Sequence, residues 1–193
     1  MNMRIVFLNQ KGGVGKTSLV LLLSGILKRA GYDVAIDDRD PQGTARFFAP
    51  AFDVPLVEDH AGADYVITDT PGHLRIEEQV EREISGLIGE SDILILVSEK
   101  SPAAIHGSAP MAKLIKIHKR RGAKAYVLFN RVRSGTLMGK QDGSDIAADL
   151  GILALENELP LSAAFENAFV SGLSAVTGKH RTELLNLALE IMK

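Results

Sequence analysis

Residues 11–17 are the part of this 193-residue chain that decides its fold. They read Lys11-Gly12-Gly13-Val14-Gly15-Lys16-Thr17, and Ser18 follows. The run lies between a short apolar stretch, Arg4–Leu8, and a long helical pattern, Lys16–Ala30. A glycine-rich turn between a strand and a helix that ends in Gly-Lys-Thr is the pattern of a phosphate-binding loop. The sequence therefore predicts a P-loop after the first strand.

The residue types in this loop suit a chain of phosphates. Its glycines allow the backbone to approach phosphates closely and to point N–H groups at them. The following helix adds the partial positive charge of its N-terminus. Lys16 suits the β- and γ-phosphates, and Thr17 suits Mg²⁺. The alternative is a glycine-rich turn without a ligand, and Gln10 replaces the first glycine of the general pattern.

Short apolar runs alternate with longer helical patterns along the chain. The runs are Arg4–Leu8, Asp33–Ile36, Tyr65–Thr68, Ile93–Val97 and Ala125–Phe129. The helical patterns are Lys16–Ala30, Ile76–Gly89, Ala103–Arg121 and Thr177–Met192, and Gly135–Gly143 is predicted to be a loop. Near-continuous apolar runs of this length are typical of strands buried on both faces of a parallel sheet. The alternation predicts an α/β fold: a doubly wound, mostly parallel sheet with helices on both faces, in one domain over residues 1–193.

Composition excludes several kinds of site. Lys plus Arg total 22 against 24 for Asp plus Glu, a formal charge of −2, so any nucleic-acid binding must come from a local patch. The absence of cysteine excludes disulfides, thiolate zinc sites and cysteine-ligated iron–sulfur clusters, and it is compatible with a reducing cytoplasm. The longest apolar stretch, within Leu19–Leu27, is too short to span a bilayer, so we expect no integral membrane segment.

Four motifs occur in the order in which one family of nucleotide hydrolases has them. The string KGGVGKTS, residues 11–18, resembles the deviant Walker A box of the ParA/MinD family of positioning ATPases. Asp38–Gly43 resembles its DxDPQG switch, Thr68–Gly72 its Walker B box and second switch, and Asn130-Arg131 its adenine-reading corner. The chain looks like the small ParA-like partitioning members. This resemblance implies a P-loop NTPase that hydrolyses ATP with Mg²⁺.

The resemblance also implies roles for single side chains. Lys11 would cross the interface of an ATP-dependent homodimer and touch the partner's nucleotide, while Lys16 contacts its own. Asp40 would orient the attacking water and so completes the implied catalytic set. The implied metal-site residues are Thr17, Asp38 and Asp69. The implied nucleotide contacts are Lys11, Gly12, Gly13, Val14, Gly15, Lys16, Thr17, Ser18, Asn130, Arg131 and Pro160.

Plainer interpretations of these residues stay open. Lys11 also fits a solvent-exposed lysine, and the aspartates at the strand ends also fit turn residues. Pro160 is explained equally well as a loop proline. Asn130 favours ATP over GTP, because the residues after it, up to Arg133, include no acidic base reader.

Basic residues predict a candidate surface for DNA. Lys113, Lys116 and Arg120 have helical spacing within Ala103–Arg121 and would share one face, and Arg133 follows the next strand. In ParA-like proteins, basic surface residues hold DNA without reading its sequence, so the resemblance implies non-specific, salt-sensitive DNA binding. A solvated outer face is the alternative. The implied partner is a ParB-like or cargo adaptor protein that stimulates hydrolysis, and the implied location is the cytoplasm, at the nucleoid.

Two other functions are compatible with parts of the pattern. An ATP-dependent ligase of the dethiobiotin synthetase type has a similar loop but typically lacks the lysine at position 11, and the DPQG box argues against it. MinD-like members end in a basic amphipathic helix that lies on membranes. The tail Thr182–Lys193 contains Glu183 and Glu190 and lacks a lysine-rich face. We therefore expect a helix packed on the core there.

Overall fold

The computed structural model describes residues 2–72 and 78–193. The strands are β1 (Met3–Leu8), β2 (Val34–Asp38), β3 (Tyr65–Asp69), β4 (Ile93–Ser98), β5 (Lys124–Phe129) and β6 (Leu153–Ala154). The helices are α1 (Lys16–Arg29), α2 (Thr44–Phe48), α3 (Glu78–Glu90), α4 (Pro102–His118), α5 (Gly143–Ala148), α6 (Ala163–Ser171) and α7 (Gly178–Ile191). Short 3₁₀ turns occupy Ala49–Phe52, Met138–Lys140 and Gly172–Ala175. All strand pairs are parallel, in the order β2-β3-β1-β4-β5-β6.

The central strands are buried on both faces because nearly all of their residues are apolar. In β1, Ile5 and Phe7 belong to one core, and Val6 and Leu8 belong to the other. Side chains alternate in this way because successive residues of a strand point to opposite faces. Helices α1, α6 and α7 complete the first core, and α3, α4 and α5 complete the second. The predicted doubly wound parallel sheet with helices on both faces is confirmed.

The C-terminal helix is part of the first core. Leu184, Leu187, Ala188 and Ile191 of α7 are buried, and the helix packs against α1. This confirms the expectation of a packed helix. Within the described residues, no helix is both long and apolar enough to cross a membrane.

Several boundaries differ from the sequence-based prediction. Helix α4 ends at His118 and not at Arg121, because Lys119 leaves helical geometry with φ −58° and ψ 124°. Strand β6 and helices α2, α5 and α6 were not predicted, since each is too short to show a clear period in the sequence. The loop predicted over Gly135–Gly143 contains a 3₁₀ turn and the start of α5. The helix predicted from Ile76 corresponds to α3, and its first two residues lie outside the described ranges.

The strand order creates a crevice at the carboxyl edge of the sheet. The chain moves from β1 to β2 and β3 on one side and then to β4 and β5 on the other, so the winding direction reverses at β1. In open α/β sheets, ligands bind outside the carboxyl ends of the strands at such a reversal. The loops that follow β1, β2 and β3 meet there, and they carry the first three predicted motifs.

Candidate nucleotide site

The loop after β1 is held in shape by one buried asparagine. The side-chain amide of Asn9 donates to the Val97 carbonyl at 2.7 Å and to Ser108 Oγ at 2.9 Å. Its Oδ1 accepts from the backbone N–H of Lys11 at 3.0 Å. These bonds fix the start of the P-loop to β4 and α4. The sequence motif did not mark Asn9, because the two groups that its amide binds, on Val97 and Ser108, are distant in the chain.

Two glycines turn the loop into α1. Gly13 and Gly15 have φ values of 80° and 91°, a left-handed region that glycine occupies without strain. Lys16 begins the helix and is only 5% exposed. Burial lowers the pKa of its ammonium group, and the nearby carboxylates of Asp69 and Asp40 oppose this effect. A buried cation at a helix N-terminus is well arranged to receive an anion.

Asp69 and Thr17 connect the end of β3 to the start of α1. Thr17 Oγ1 donates to Asp69 Oδ2 at 2.8 Å. Burial raises the pKa of Asp69 to about 7, although the bond from Thr17 acts in the opposite direction. One hydroxyl and one carboxylate suit Mg²⁺, which keeps waters and takes phosphate oxygens for the rest of its shell. In the described ranges, no group of three or more acidic or histidine side chains could hold a metal ion.

The loop after β2 folds around Asp38. Asp38 Oδ1 accepts from the backbone N–H of Asp40 at 3.0 Å, and its Oδ2 accepts from that of Arg46, in α2, at 2.8 Å. Asp40 Oδ1 accepts from the backbone N–H of Gln42 at 3.0 Å. Asp38 therefore shapes the first switch with both of its carboxylate oxygens. A direct bond from it to a metal ion would compete with these hydrogen bonds.

The loop after β3 comes very close to the P-loop. Thr70 Oγ1 donates to the Phe7 carbonyl at 2.6 Å and ties this loop to β1. A Cβ atom at Gly72 would lie 3.2 Å from the Cα of Gly12 and 3.6 Å from Lys16 Nζ. Only a residue without a side chain fits this approach comfortably. The backbone of Gly72 therefore lies close to both the P-loop and the Lys16 ammonium group.

Two adjoining hollows open along this edge. The phosphate cavity has a volume of about 300 Å³ and is lined by Gly12, Lys16, Thr17, Asp40, Thr70 and Gly72, among others. The base pocket has a volume of about 220 Å³ and is lined by Leu22, Asn130, Pro160, Ser162, Phe165 and Glu166, among others. Gly15, Ser18 and Arg131 line both hollows. The two therefore form one continuous cleft, with a cationic end and an end lined by both apolar and polar side chains.

Asn130 joins the base pocket to the P-loop. Its side-chain Nδ2 donates to the Val14 carbonyl at 2.9 Å, and a Cβ atom at Gly15 would lie only 2.5 Å from the same nitrogen. The residue is buried, at 6% exposure. Asn130 therefore supports the phosphate loop, and it also lines the base pocket, where the sequence predicts that it contacts the base.

Arg131 crosses the cleft between its two ends. It has a positive φ of 56°, which is uncommon for a residue with a side chain. Its Nη1 donates to the Gly13 carbonyl at 2.7 Å, and its Nη2 lies 3.4 Å from Glu166 Oε1 in α6. The guanidinium group therefore links the P-loop to the far wall of the base pocket.

Lys11 lies immediately before the glycines that shape the phosphate cavity. Its side chain is half-buried. Its ammonium group forms no ion pair with any carboxylate in the part of the chain that the structure describes.

The residues predicted for DNA do not form one surface. Arg120 lies beyond the end of α4 and pairs with Asp92, so the helix face predicted for Lys113, Lys116 and Arg120 is wrong. Arg120 precedes the amino end of β5, whereas Arg133 follows its carboxyl end. A six-residue strand separates these ends by roughly 20 Å. Arg133 therefore belongs to the nucleotide edge of the molecule, and the other three lie towards the opposite edge.

The chain is similar to known nucleotide-binding proteins over most of its length. A family model described as the CobQ/CobB/MinD/ParA nucleotide binding domain matches residues 5–175. A 42-residue segment is 52% identical to the chromosome-partitioning ATPase Soj of Thermus thermophilus. The segment covers 22% of this chain and 17% of Soj. A 39-residue segment is 54% identical to an uncharacterized protein of Methanocaldococcus jannaschii, 20% of this chain and 15% of that protein. Each match spans less than a fifth of the curated relative.

Solved structures resemble the whole chain more evenly. The septum site-determining protein MinD of Pyrococcus horikoshii, complexed with Mg-ADP, has a TM-score of 0.73 at 16% identity, over 100% of this chain and 97% of that one. Apo McdA of Cyanothece has a TM-score of 0.73 at 16% identity, over 100% of both chains. At such identities the likeness shows a shared fold.

Proposed function

The chain belongs to the CobQ/CobB/MinD/ParA nucleotide-binding domain family, and we propose that it is a ParA-like ATPase that positions a cargo within the cell. This proposal rests mainly on one observation: the loops after β1, β2 and β3 converge on Lys16 beside a base-sized pocket. The cargo would be a plasmid, a chromosome or a protein assembly. Residues 1–193 would act as one nucleotide-binding domain.

The cleft fits ATP from the phosphates to the base. Lys16 and the N-terminus of α1 would hold the β- and γ-phosphates, and the base pocket would take adenine beside Asn130 and Pro160. Mg²⁺, when bound, would neutralise phosphate charge, held by Thr17 and, through water, by Asp69 and Asp38. The hydrogen bond between Thr17 and Asp69 at 2.8 Å already orients the hydroxyl at this position.

Hydrolysis requires an oriented water and a compensated negative charge. Asp40 lines the phosphate cavity and would accept a hydrogen bond from the attacking water. Lys16 would balance the charge that spreads over the transferred phosphoryl group. Gly72 would respond to the presence of the γ-phosphate, because it lies close to Lys16: a Cβ atom added at Gly72 would be 3.6 Å from Lys16 Nζ. Loss of that phosphate would release both switch loops.

A second copy of the chain would complete the site. The ammonium group of Lys11 has no ion-pair partner among the described carboxylates, and it would reach the triphosphate of the facing subunit. Two ATP molecules would then be enclosed between two subunits. The dimer would depend on ATP because the partner's Lys11 needs the γ-phosphate as its counter-charge.

The activity is tested by phosphate release from Mg-ATP. We expect slow turnover by the wild type and none by Lys16→Ala, because the variant loses the buried cation that faces the phosphates. Lys140→Ala, which removes an exposed lysine from a 3₁₀ turn, is the control and should match the wild type. A Lys16→Ala protein as active as the wild type, or a wild type that does not hydrolyse ATP, would contradict the proposal.

DNA binding is a further part of the proposal. Lys113 and Lys116 are exposed residues of α4. Beyond the end of this helix, near the same edge of the molecule, lie three more exposed cations: Lys119, Arg121 and Lys124. In a mobility-shift assay, we expect retention of non-specific DNA that needs ATP and falls steeply with salt. Replacing Lys113, Arg121 and Lys124 by alanine should weaken it at every salt concentration. If Arg133→Ala weakens it instead, the DNA lies at the nucleotide edge. A ParB-like or cargo adaptor that stimulates hydrolysis and a nucleoid location would complete the cycle.

A further inference from the structure

A chain of three hydrogen-bonding side chains ends at the wall of the base pocket. Ser162 Oγ lies 3.0 Å from His180 Nε2, and His180 Nδ1 lies 2.9 Å from Glu183 Oε2. Ser162 lines the base pocket and is the N-cap of α6, where its Oγ accepts from the backbone N–H of Ala164 at 3.2 Å. His180 and Glu183 lie in α7, which therefore reaches the pocket through Ser162.

The protons in this chain can be assigned from the chemistry of the groups. The carboxylate of Glu183 only accepts, so Nδ1 of His180 carries the proton of their hydrogen bond. In the neutral imidazole Nε2 then has a lone pair, and the hydroxyl of Ser162 donates to it. One lone pair of Ser162 Oγ receives the N–H of Ala164. Ser162 lines the pocket and no donor in the described chain occupies the other lone pair, so this oxygen can accept a hydrogen bond from a ligand and does not donate one.

We propose that Ser162, held in this orientation by His180 and Glu183, selects purines that carry an amine at C6. The inference rests on the proposed function, because it requires the base of a nucleotide to occupy the base pocket. Adenine places an amine donor where hypoxanthine and guanine place a carbonyl oxygen. Such an oxygen would face the lone pair of Ser162 and find no donor there. Ser162 is then a specificity-determining residue, and His180 and Glu183 are positioning residues.

Two other polar groups at the pocket have partners of their own. One side-chain N–H of Asn130 is directed at the Val14 carbonyl at 2.9 Å. Glu166 lies 3.4 Å from the guanidinium group of Arg131. Ser162 Oγ accepts from one donor, the backbone N–H of Ala164, among the hydrogen bonds of the described chain, so one lone pair is left for a ligand. The C6 amine of adenine would supply the donor that this oxygen lacks.

The test is isothermal titration with ADP and with inosine diphosphate, which differs from ADP in carrying a carbonyl oxygen in place of the amine. Diphosphates avoid hydrolysis and ATP-dependent assembly. We expect the wild type to bind ADP about tenfold more tightly than inosine diphosphate, a difference that one well-made hydrogen bond accounts for. Ser162→Ala should weaken ADP binding and leave inosine diphosphate binding unchanged, so that the ratio approaches one.

The positioning residues are tested by the same ratio. His180→Ala frees the hydroxyl of Ser162 to donate into the pocket, so binding of inosine diphosphate should improve several-fold while ADP changes little. Glu183→Gln should act in the same direction, because the glutamine amide can donate to Nδ1 and force the proton onto Nε2. A merely structural role for either residue would weaken both nucleotides together.

A matched control separates selection from helix capping. Ser101→Ala removes an equivalent N-cap from α4, where Ser101 Oγ accepts from Ala104 N–H at 3.2 Å, and should leave the ADP ratio unchanged. The inference is overturned if Ser162→Ala weakens both nucleotides equally, if the wild type does not discriminate, or if Glu166→Gln alone abolishes the preference. A wild type that binds neither nucleotide would overturn the proposed function together with this inference.

Discussion

The phosphate half and the base half of the cleft are built in different ways. The phosphate half is made by short continuous stretches, each following the carboxyl end of β1, β2 or β3, and its charged groups Lys16 and Asp69 are buried. The base half is made by residues that are distant in sequence, in α1, at the end of β5 and between Leu159 and Glu166, and its ion pair between Arg131 and Glu166 is partly exposed. Under the proposed function, the chemistry would be concentrated in the phosphate half and the selection of the nucleotide in the base half.

Substitutions in the two halves should therefore have different effects. Changes around Lys16 remove a buried charge or its support, so they should affect turnover strongly. Changes around Ser162 or Glu190 alter the wall of a pocket, so they should affect nucleotide affinity moderately and leave turnover of bound ATP intact. Residues that join the halves, such as Gly15 and Asn130, should affect both properties.

Among the variants that keep Lys16, the largest effect is expected for Asp40→Ala in the phosphate half. Loss of the group that orients water should lower ATP turnover by about 10²- to 10⁴-fold. Binding of ADP should stay within about threefold of the wild type, because hydrogen bonds to the base and to Lys16 are untouched. Phosphate release and titration calorimetry measure the two quantities. Asp145→Ala, which removes an exposed carboxylate of α5, should change neither. Equal losses of turnover and ADP affinity in Asp40→Ala would remove the distinction between the halves.

Asn9→Ala should destabilise the scaffold of the phosphate half by about 3 kcal/mol, because a buried carbonyl and a buried N–H lose their partners. The groups concerned are the Val97 carbonyl at 2.7 Å and the Lys11 N–H at 3.0 Å. Urea unfolding measures the change, with Asn167→Ala, an exposed position of α6, as the control. A loss below about 1 kcal/mol would show that another group shapes the loop.

Gly15→Ala tests the junction between the halves, and Gly31→Ala is its matched control. Both glycines have left-handed φ values, 91° and 92°, so both variants incur backbone strain of about 1 kcal/mol. A Cβ atom at Gly15 would lie 2.5 Å from Asn130 Nδ2, whereas one at Gly31 would meet nothing within 4 Å. Gly15→Ala should therefore lose about 1 to 2 kcal/mol more stability and most of its ADP affinity. Equal unfolding free energies would mean that Asn130 moves aside without cost.

The smallest effect is expected for Glu190→Gln in the base half. Glu190 of α7 accepts from the backbone N–H groups of Glu156 at 2.6 Å and Asn157 at 3.0 Å, and so holds the loop that leads to Pro160. Loss of its charge should cost about 1 kcal/mol of unfolding free energy. We expect ADP binding two- to threefold weaker and unchanged turnover at saturating ATP. A fall in turnover would show that α7 also controls the phosphate half.

The sequence predicted the phosphate half more completely than the base half. The glycines, Lys16 and the strand-end aspartates lie in local motifs, and the alternation of apolar runs predicted the sheet that brings these motifs together. Asn9 and the Ser162–His180–Glu183 chain could not be predicted, because their partners are brought together only by packing of α4, α6 and α7. The predicted helix face for DNA was wrong because one residue, Lys119, ends α4 early.

The most direct test of the account is light scattering of Asp40→Ala, the variant expected to retain ATP. With Mg-ATP, we expect a particle of twice the 20.8 kDa subunit mass, and with Mg-ADP a single subunit. Adding Lys11→Ala to the same protein should give single subunits in ATP while binding of a fluorescent ATP analogue persists. An ATP-dependent dimer that survives the loss of Lys11, or an Asp40→Ala protein that stays a single subunit in ATP, would contradict the account.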